Sequence, residues 1–315
     1  MKKAHALMPN RMVLRVHECV LAGLLIVLMG IAWWLEPAFV TATTQMGIAT
    51  HAFELAMLAL PMSFIIITGG IDLSVGSTMA LSAVVMGLLY QAGVPMWGAA
   101  AAALGVGIAA GALNGFFVAK LKVHPLLVTL ATLAAYRGLA EGISKGKPIS
   151  GFPESFLGLS SGPVLGGIFV VSALVVAVIA ARSAWGAWVY AVGGNERAAM
   201  YCGIPTEGVK FALFTLAGFF ASVCGIVFAA RRNTAKADVG AGIELEVITA
   251  VVLGGTSIFG GRGTIIGTVL GVLIIHELRE FVSWHWSNDE VILIAVGAIL
   301  IVSVVLNNLA SRKQA

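Results

Sequence analysis

The chain has 315 residues, of which 59% are hydrophobic and only 11% are charged, whereas about 25% of the residues of a soluble domain are charged. This composition excludes an ordinary soluble domain and indicates a membrane protein, and the long apolar stretches favour helices over a β-barrel. The net charge of +4 is spread over the ends of apolar stretches, so it indicates membrane topology rather than nucleic-acid binding.

Ten stretches are long and apolar enough to cross a membrane, which takes about 20 residues in a helix. In chain order they are 19–35, 52–68, 74–93, 96–119, 125–143, 163–182, 209–230, 244–260, 264–283 and 290–307. We therefore predict an all-α, polytopic bundle of about ten transmembrane helices, or as few as about eight, because glycines interrupt the helices near residues 70 and 255. The whole chain, 1–315, is predicted to be one transmembrane domain.

The Lys and Arg residues predict that both termini lie in the cytoplasm, because basic residues collect on that side. The predicted cytoplasmic segments are the N-terminal segment 1–18, the loop 183–208 and the tail 308–315. No cleavage site of small residues follows the first stretch, so we expect it to stay as the first span. Arg231, Arg232 and Lys236 conflict with this topology, which places them on the opposite side.

Two segments of the chain are similar to each other. Residues 67–89 read ITGGIDLSVGSTMALSAVVMGLL, and residues 252–274 read VLGGTSIFGGRGTIIGTVLGVLI. The matching glycines are Gly69, Gly70 and Gly76 in the first segment and Gly254, Gly255 and Gly261 in the second. An internal duplication explains this pattern, and paired interrupted helices point to a transport pathway. Chance similarity between glycine-rich membrane helices is the alternative.

Two further sets of glycines recur every four residues. They are Gly107, Gly111 and Gly115, and Gly263, Gly267 and Gly271. Small residues at this spacing form a groove in which a second helix backbone approaches closely. These glycines therefore predict helix packing and say little about function.

Asp72 is the only aspartate within an apolar stretch, where a charge is costly. Gly69 and Gly70 are expected to end the incoming helix just before it. Asp72 then accepts hydrogen bonds from the free N–H groups of the next helix as its N-cap, or it contacts a substrate. The two roles are compatible, because non-helical backbone at membrane depth either lines a cavity or is buried in protein.

Other polar residues lie at a similar depth. Their hydroxyl and amide groups suit a neutral polyol, although Ser and Thr hydroxyls also bond to the backbone of their own helix. Besides Asp72, the polar set is Thr68, Ser74, Ser77, Thr78, Asn114, Thr129, Thr132 and Arg137, while Glu244, Glu246 and Thr249 open the eighth stretch. The candidate translocation path, with its helix breaks, is Thr68, Gly69, Gly70, Asp72, Ser74, Asn114, Thr129, Arg137, Gly254 and Gly255.

No motif indicates catalysis, a metal site or ATP binding. The sequence contains no H-E-x-x-H, no G-x-S-x-G and no G-x-x-x-x-G-K-[ST], and its six histidines lack ligand spacing. We therefore predict no catalytic residue and no metal ligand in this chain. The cysteines, Cys19, Cys202 and Cys224, are expected to be small buried hydrophobic residues.

The sequence NERAAMYCGI, 195–204, predicts a short helix in the loop between the sixth and seventh stretches. Asn195 is its N-cap, Glu196 lies in its first turn and Gly203 ends it. Such a helix lies in the membrane interface or docks on a partner protein, and the residues themselves leave both possibilities open.

Four segments together resemble the permease subunits of ABC importers of the ribose and autoinducer-2 type. They are GGIDLSVGSTMAL, VTLATLAAYRGLA, AVGGNERAAMYCGI and ITAVVLGGTSIFGGRGTIIGT, and the resemblance covers residues 50–305. It implies a subunit of the bacterial inner membrane that transports a sugar or sugar-like solute, such as ribose, rhamnose, another monosaccharide or autoinducer-2.

The resemblance also implies the partners. They are ATPase subunits that bind ATP and Mg²⁺, a periplasmic solute-binding protein, and a second permease chain, identical or similar to this one. No cofactor is expected on this chain itself. The segment implied to couple the permease to the ATPase comprises Gly193, Gly194, Asn195, Glu196, Ala198, Ala199, Gly203 and Ile204.

Two alternatives belong to other functional classes. A solitary secondary transporter is expected to carry ion-coupling acids near the membrane midplane, where only Asp72 qualifies. An intramembrane aspartyl protease needs a second membrane aspartate. Co-purification of an ATPase separates the importer from the solitary transporter.

Overall fold

The computed structural model describes residues 11–286 and the isolated positions 294, 297, 298 and 301. In chain order the helices are α1 (Arg11–Leu35), α2 (Ala42–Ala49), α3 (Ala52–Ile67), α4 (Val75–Gln91), α5 (Met96–Gly115), α6 (Pro125–Ser144), α7 (Glu154–Leu157), α8 (Gly162–Arg182), α9 (Ala184–Gly194), α10 (Glu196–Tyr201), α11 (Thr206–Arg232), α12 (Ile243–Leu253) and α13 (Ile265–Trp286). Two short strands, β1 (Ile149–Ser150) and β2 (Thr234–Ala235), pair antiparallel. The prediction of an all-α membrane protein is confirmed.

Nine of the ten predicted spans overlap described helices, although 244–260 is helical only as far as Leu253. Most of the tenth, 290–307, and the whole tail 308–315 lie outside the described residues. Among the described helices, 5 are long and apolar enough to cross a membrane, or up to 6 if α2 and α3, bent by 54°, form one span. The five are α1, α5 with its π-helical extension Phe116–Lys120, α6, α8 and α11. The count of about ten spans therefore stays a prediction.

Besides α7, which lies between the fifth and sixth predicted spans, two more segments between predicted spans contain short helices. α2 lies in the segment 36–51, and α9 precedes α10 in the loop 183–208. Each begins at a hydroxyl residue, because the side chains of Thr41 and Ser183 accept hydrogen bonds from backbone N–H groups in the first turn. Both helices are too short to give a transmembrane signal.

The contacts divide the chain into two compact units. Unit 1 comprises the described parts of 1–69, 175–204 and 246–315, and unit 2 comprises 70–174 and 205–245. The chain passes from unit 1 to unit 2 between Gly69 and Gly70, immediately after α3.

Close packing of α5 against α11 holds unit 2 together. A Cβ atom on Gly107 would lie 2.5 Å from the Cβ of Ser222, and one on Gly111 would lie 3.0 Å from the Cα of Gly218. Gly115 approaches the backbone of Phe211 in the same way. The predicted glycine groove is therefore confirmed, and α11 is the helix that fills it.

In unit 1, α3 is buried along almost its whole length, and α13 packs against it. The hydroxyls of Ser63 and Thr268 form a buried hydrogen bond of 2.8 Å between these helices. Gly267 and Gly271 on α13 face the backbone at the end of α12, since a Cβ on Gly271 would collide with the carbonyl of Ala250 and would lie 3.0 Å from the amide nitrogen of Gly254, and a Cβ on Gly267 would collide with the carbonyl of Gly254. The second predicted groove is also confirmed for these two glycines, whereas Gly263 precedes α13.

Apart from Arg137 within α6, the basic residues of unit 2 lie near the ends of its helices. At one end, Lys120 and Lys122 each form an ion pair of 3.0 Å with Glu207. At the other end, the β1–β2 pairing joins the loop after α6, which carries Lys145 and Lys147, to the end of α11. Arg231, Arg232 and Lys236 flank β2 and thus share the end of Lys145 and Lys147, as the ten-span topology requires.

Candidate functional site

The helix break predicted near residue 70 is present. α3 ends at Ile67, and the hydroxyl of Thr68 donates to the carbonyl of Ile65 at 2.8 Å. Gly69 has φ 79°, a left-handed conformation that glycine adopts without strain, and Gly70 is buried. The next helix, α4, begins only at Val75. Residues 68–74 therefore form the first interruption.

Asp72 lies in this interruption and is 2% exposed. Its Oδ1 accepts hydrogen bonds from the backbone N–H of Ser74 at 2.8 Å and from the Oγ–H of Ser74 at 2.7 Å. The N-cap of α4 is Ser74, so the prediction that Asp72 caps this helix is wrong. Asp72 instead stabilises the turn before the helix, because a short carboxylate side chain readily bonds the backbone two residues ahead.

Asn114 joins α5 to this turn. Its Nδ2 donates to the Oγ of Ser74 at 2.8 Å, so Asn114, Ser74 and Asp72 form one buried chain of hydrogen bonds. The Oδ1 of Asn114 is buried without a hydrogen-bond partner among the described residues. This network of hydrogen bonds thus retains one unused acceptor, to which a hydroxylated ligand or a water molecule would donate.

Thr129 adds α6 to the same region of unit 2. Its hydroxyl contacts the carbonyl of Ile71 at 3.3 Å and that of Pro125 at 3.0 Å. Ser77 and Thr132 donate to carbonyls of their own helical turns, as expected for hydroxyls that only satisfy local backbone. Four of the predicted path residues therefore meet around the first interruption, and we call them the Asp72 cluster: Asp72, Ser74, Asn114 and Thr129.

Arg137 makes a different set of contacts. Its guanidinium donates to the carbonyls of Ala237 and Val239, the latter at 2.7 Å. These carbonyls lie between β2 and α12, so Arg137 fixes the backbone of that connection. The described contacts of Arg137 therefore give it a structural function in unit 2 rather than membership of the Asp72 cluster.

The second predicted break is also present, within unit 1. α12 ends at Leu253, and Gly255 follows with φ 90°. The side chain of His17 on α1 approaches the carbonyl of Leu253 at 3.1 Å. This interruption, 254–264, is longer than the first.

The predicted match between the third glycines of the two segments does not hold in the structure. Gly76 lies in the first turn of α4, whereas Gly261 precedes α13 and has φ 75°. In both segments a glycine with positive φ follows the first helix: Gly69 follows α3 and Gly255 follows α12. The segments differ in how the next helix, α4 or α13, begins.

The short helix predicted at 195–204 is confirmed as α10. The Oδ1 of Asn195 accepts from the backbone N–H of Ala198 at 3.0 Å, and Gly203 ends the helix with φ 81°. Glu196 opens the helix, and the N–H of Ile204 closes it on the carbonyl of Ala199 at 3.1 Å. Ala199 is 5% exposed and faces the protein.

The outer face of α10 carries residues that the sequence analysis did not single out. Tyr201 is 86% exposed and Met200 is 54% exposed. Cys202 is also exposed, as is Cys19, so only Cys224 is buried as expected. The sequence does carry a signal for Met200 and Tyr201, because they are large, largely apolar side chains in a polar loop and such side chains are enriched in protein interfaces.

Comparisons with known proteins identify the family of the chain. The chain matches the family described as branched-chain amino acid transport system, permease component, over residues 44–304. It is 33% identical over 283 residues to the ribose import permease protein RbsC of Bacillus subtilis, which covers 87% of each chain. It is 32% identical over 308 residues to the autoinducer 2 import system permease protein LsrD of Escherichia coli K12, covering 94% of this chain and 93% of that protein.

RbsC of Haemophilus influenzae is 32% identical over 300 residues. No solved structure matches the chain significantly. Because the family match covers most of the chain and the relatives align over nearly their full lengths, the resemblance seen in the sequence is confirmed. The chain belongs to the branched-chain amino acid transport system permease family and is a multi-pass membrane permease subunit of an ABC importer.

Proposed function

We propose that the chain forms the translocation path for a sugar or sugar-like solute, with the Asp72 cluster as part of that path. The observation that carries this proposal is the buried chain from Asn114 through Ser74 to Asp72, which leaves the Oδ1 of Asn114 unused. A hydroxyl of a polyol donates to such an acceptor. Gly254 and Gly255 in the second interruption stay candidates for the same role.

The names of the relatives support a sugar-like substrate. One relative is named for ribose import and another for autoinducer 2 import, whereas the family description names branched-chain amino acids. The neutral amide and hydroxyl groups of the Asp72 cluster suit hydroxyl-rich solutes. The candidate substrates are ribose, rhamnose, another monosaccharide and autoinducer-2.

The proposed partners follow from membership of an import permease family. A binding protein delivers the solute, and separate ATPase subunits bind ATP and Mg²⁺ and drive transport. A second permease chain, identical or similar, completes the pore. We place the subunit in the bacterial inner membrane with the segment 1–18, the loop 183–208 and the tail 308–315 in the cytoplasm.

The proposed mechanism is alternating access. Closure of the ATPase subunits around ATP moves α10 in both permease chains, and the chains rock so that the path opens to the other side. The exposed side chains of Met200 and Tyr201 on α10 provide the docking face for the ATPase. A charged substitution at Ala199 would not test docking specifically, because this side chain is buried and a charge there would also disturb folding.

The test of this function is purification of the tagged chain from its own host in a mild detergent, followed by mass spectrometry. We expect an ATPase with a P-loop at equal stoichiometry, and a binding protein that retains a monosaccharide or a related polyol. Recovery of the chain alone, together with ATP-independent uptake in liposomes, would establish a solitary transporter. A binding protein selective for leucine or valine would overturn the sugar assignment and retain the importer.

Cys202 provides a test of ATPase docking that needs no new side chain. A membrane-impermeant maleimide should label Cys202 in inside-out vesicles that lack the ATPase, since this thiol is exposed next to α10. Addition of the ATPase should remove most of this labelling. The Cys202→Ser variant measures the background from Cys19 and Cys224. Unchanged labelling with bound ATPase would place docking elsewhere, and labelling only in right-side-out vesicles would reverse the proposed orientation.

A further inference from the structure

Three backbone segments of unit 1 meet without intervening side chains. They are the end of α3, the end of α9 and the loop before α13. The backbone N–H of Gly261 donates to the carbonyl of Ile67 at 2.8 Å. A Cβ atom on Gly193 would collide with the same carbonyl and would lie 2.6 Å from the amide nitrogen of Gly261. We call this meeting point of Ile67, Gly193, Gly260 and Gly261 the glycine junction.

Gly260 is the fourth residue of the junction. It has φ 87°, and a Cβ atom there would lie 2.8 Å from the carbonyl oxygen of Gly193 and 3.0 Å from that of Ile67. The neighbouring atoms are backbone atoms, which cannot rotate away as a flexible side chain does. A side chain at Gly193 or Gly260 would therefore separate the segments that now touch.

Two side-chain contacts fasten the rest of α9 to the same partners. The hydroxyl of Tyr190 donates to the carbonyl of Gly263 at 3.0 Å. Burial raises the pKa of Tyr190, so this phenol keeps its proton and remains a donor. Nearer the start of α9, the ring of Trp185 packs edge-on against Phe64 of α3, with centroids 5.5 Å apart.

The residues of the junction adjoin the proposed docking helix and both interruptions along the chain. α10 follows α9 directly, because Asn195 is both the C-cap of α9 and the N-cap of α10. Ile67 is the last residue before the interruption 68–74, and Gly260 and Gly261 lie within the interruption 254–264. A displacement of α10 would therefore reach Ile67, at the start of the first interruption, and the second interruption through a single set of backbone contacts.

We propose that the glycine junction is the element that transmits movement of α10 to both interrupted helices. This inference rests on the proposed function, since it requires that a partner moves α10. A junction of backbone atoms suits this task because packed interfaces of this kind resist gradual deformation and shift between discrete arrangements.

Gly193→Ala tests the proposal, with Gly47→Ala on α2 of the same unit as the control. A Cβ on Gly47 meets no atom within 4 Å, so the control adds the same methyl group without a collision. Each variant is purified with its ATPase and reconstituted with the binding protein. We expect Gly193→Ala to keep its ATPase and to hydrolyse ATP while uptake falls about tenfold, a change of the size that coupling mutations produce. Gly47→Ala should transport normally.

Tyr190→Phe is a milder second variant. It tests the role of the junction in coupling if Gly193→Ala fails to assemble. It removes only the hydrogen bond to Gly263, so we expect an intact complex with fewer solute molecules transported per ATP hydrolysed. Full coupling in Tyr190→Phe together with loss of assembly in Gly193→Ala would reduce the junction to a folding contact and overturn the proposal, as would normal uptake by Gly193→Ala. Absence of an ATPase from the wild-type preparation would refute the proposed function instead.

Discussion

Gly218→Ala is expected to destabilise unit 2 strongly. A Cβ atom at this position of α11 would collide with the carbonyl of Gly107 and would lie 2.8 Å from the amide nitrogen of Gly111. Overpacking a well-packed core costs about 1–3 kcal/mol, and backbone neighbours place this substitution at the upper end. We expect a clear fall in the midpoint of thermal unfolding in detergent and a low yield of folded protein.

Gly105→Ala on α5 is the matched control. A Cβ atom on Gly105 has no neighbour within 4 Å, so this variant gains helix propensity of about 1 kcal/mol without a collision. The difference between the two midpoints then measures the α5–α11 packing alone. Equal midpoints for Gly218→Ala and Gly105→Ala would show that the two helices do not pack closely in the folded protein.

Asp72→Ala is expected to lose transport and stability together. The substitution removes the carboxylate oxygen that accepts two buried hydrogen bonds. The backbone N–H and the hydroxyl of Ser74 then lose this acceptor. A buried donor left unpaired costs about 1–3 kcal/mol. The entry of the chain into α4 and the position of Asn114 both depend on this turn, so we expect uptake in vesicles to fall at least about tenfold, the equivalent of 1.4 kcal/mol.

Asp72→Asn separates the hydrogen bonds of Asp72 from its charge. The amide oxygen of asparagine can still accept from Ser74, although bonds to a neutral acceptor have roughly half the strength of those to a carboxylate. We expect a folded protein with a small fall in its unfolding midpoint and reduced uptake. Uptake at the wild-type rate would exclude any role for the charge and leave Asp72 as a turn residue. Normal uptake by Asp72→Ala would remove the whole cluster from the path.

The positions of the helices were predictable because the signals are local. Apolar length predicts a span, and paired glycines end the helices after Ile67 and Leu253, as the sequence predicted. The short helix α10 was predictable for the same reason, since Asn195 and Gly203 act on neighbouring backbone groups. The periodic glycines of α5 likewise predicted a groove, although not that α11 would fill it.

The sequence could not decide how polar groups at the first interruption would pair. Asp72 and Ser74 are both good capping residues, and only the geometry of the turn makes Ser74 the N-cap and Asp72 its acceptor. Arg137 follows Thr129 on α6, yet it bonds to carbonyls about a hundred residues away in the chain rather than to the Asp72 cluster. Such partners depend on how distant segments fold together, which no local pattern contains.

The amino-acid sequence by itself thus determined the membrane class, the positions of most of the long described helices, both helix breaks and the family, because hydropathy, glycine content and caps act over a few residues. The tertiary structure alone decided that Gly193 lies against the carbonyl of Ile67 beside Gly261, and that Tyr201 is exposed while Ala199 is buried. A glycine is the same letter in the sequence whether its Cα hydrogen atoms face open space or the backbone of another segment. Only the packing of distant segments distinguishes these cases, and it is this packing that brings the end of α9 against Ile67 and Gly261.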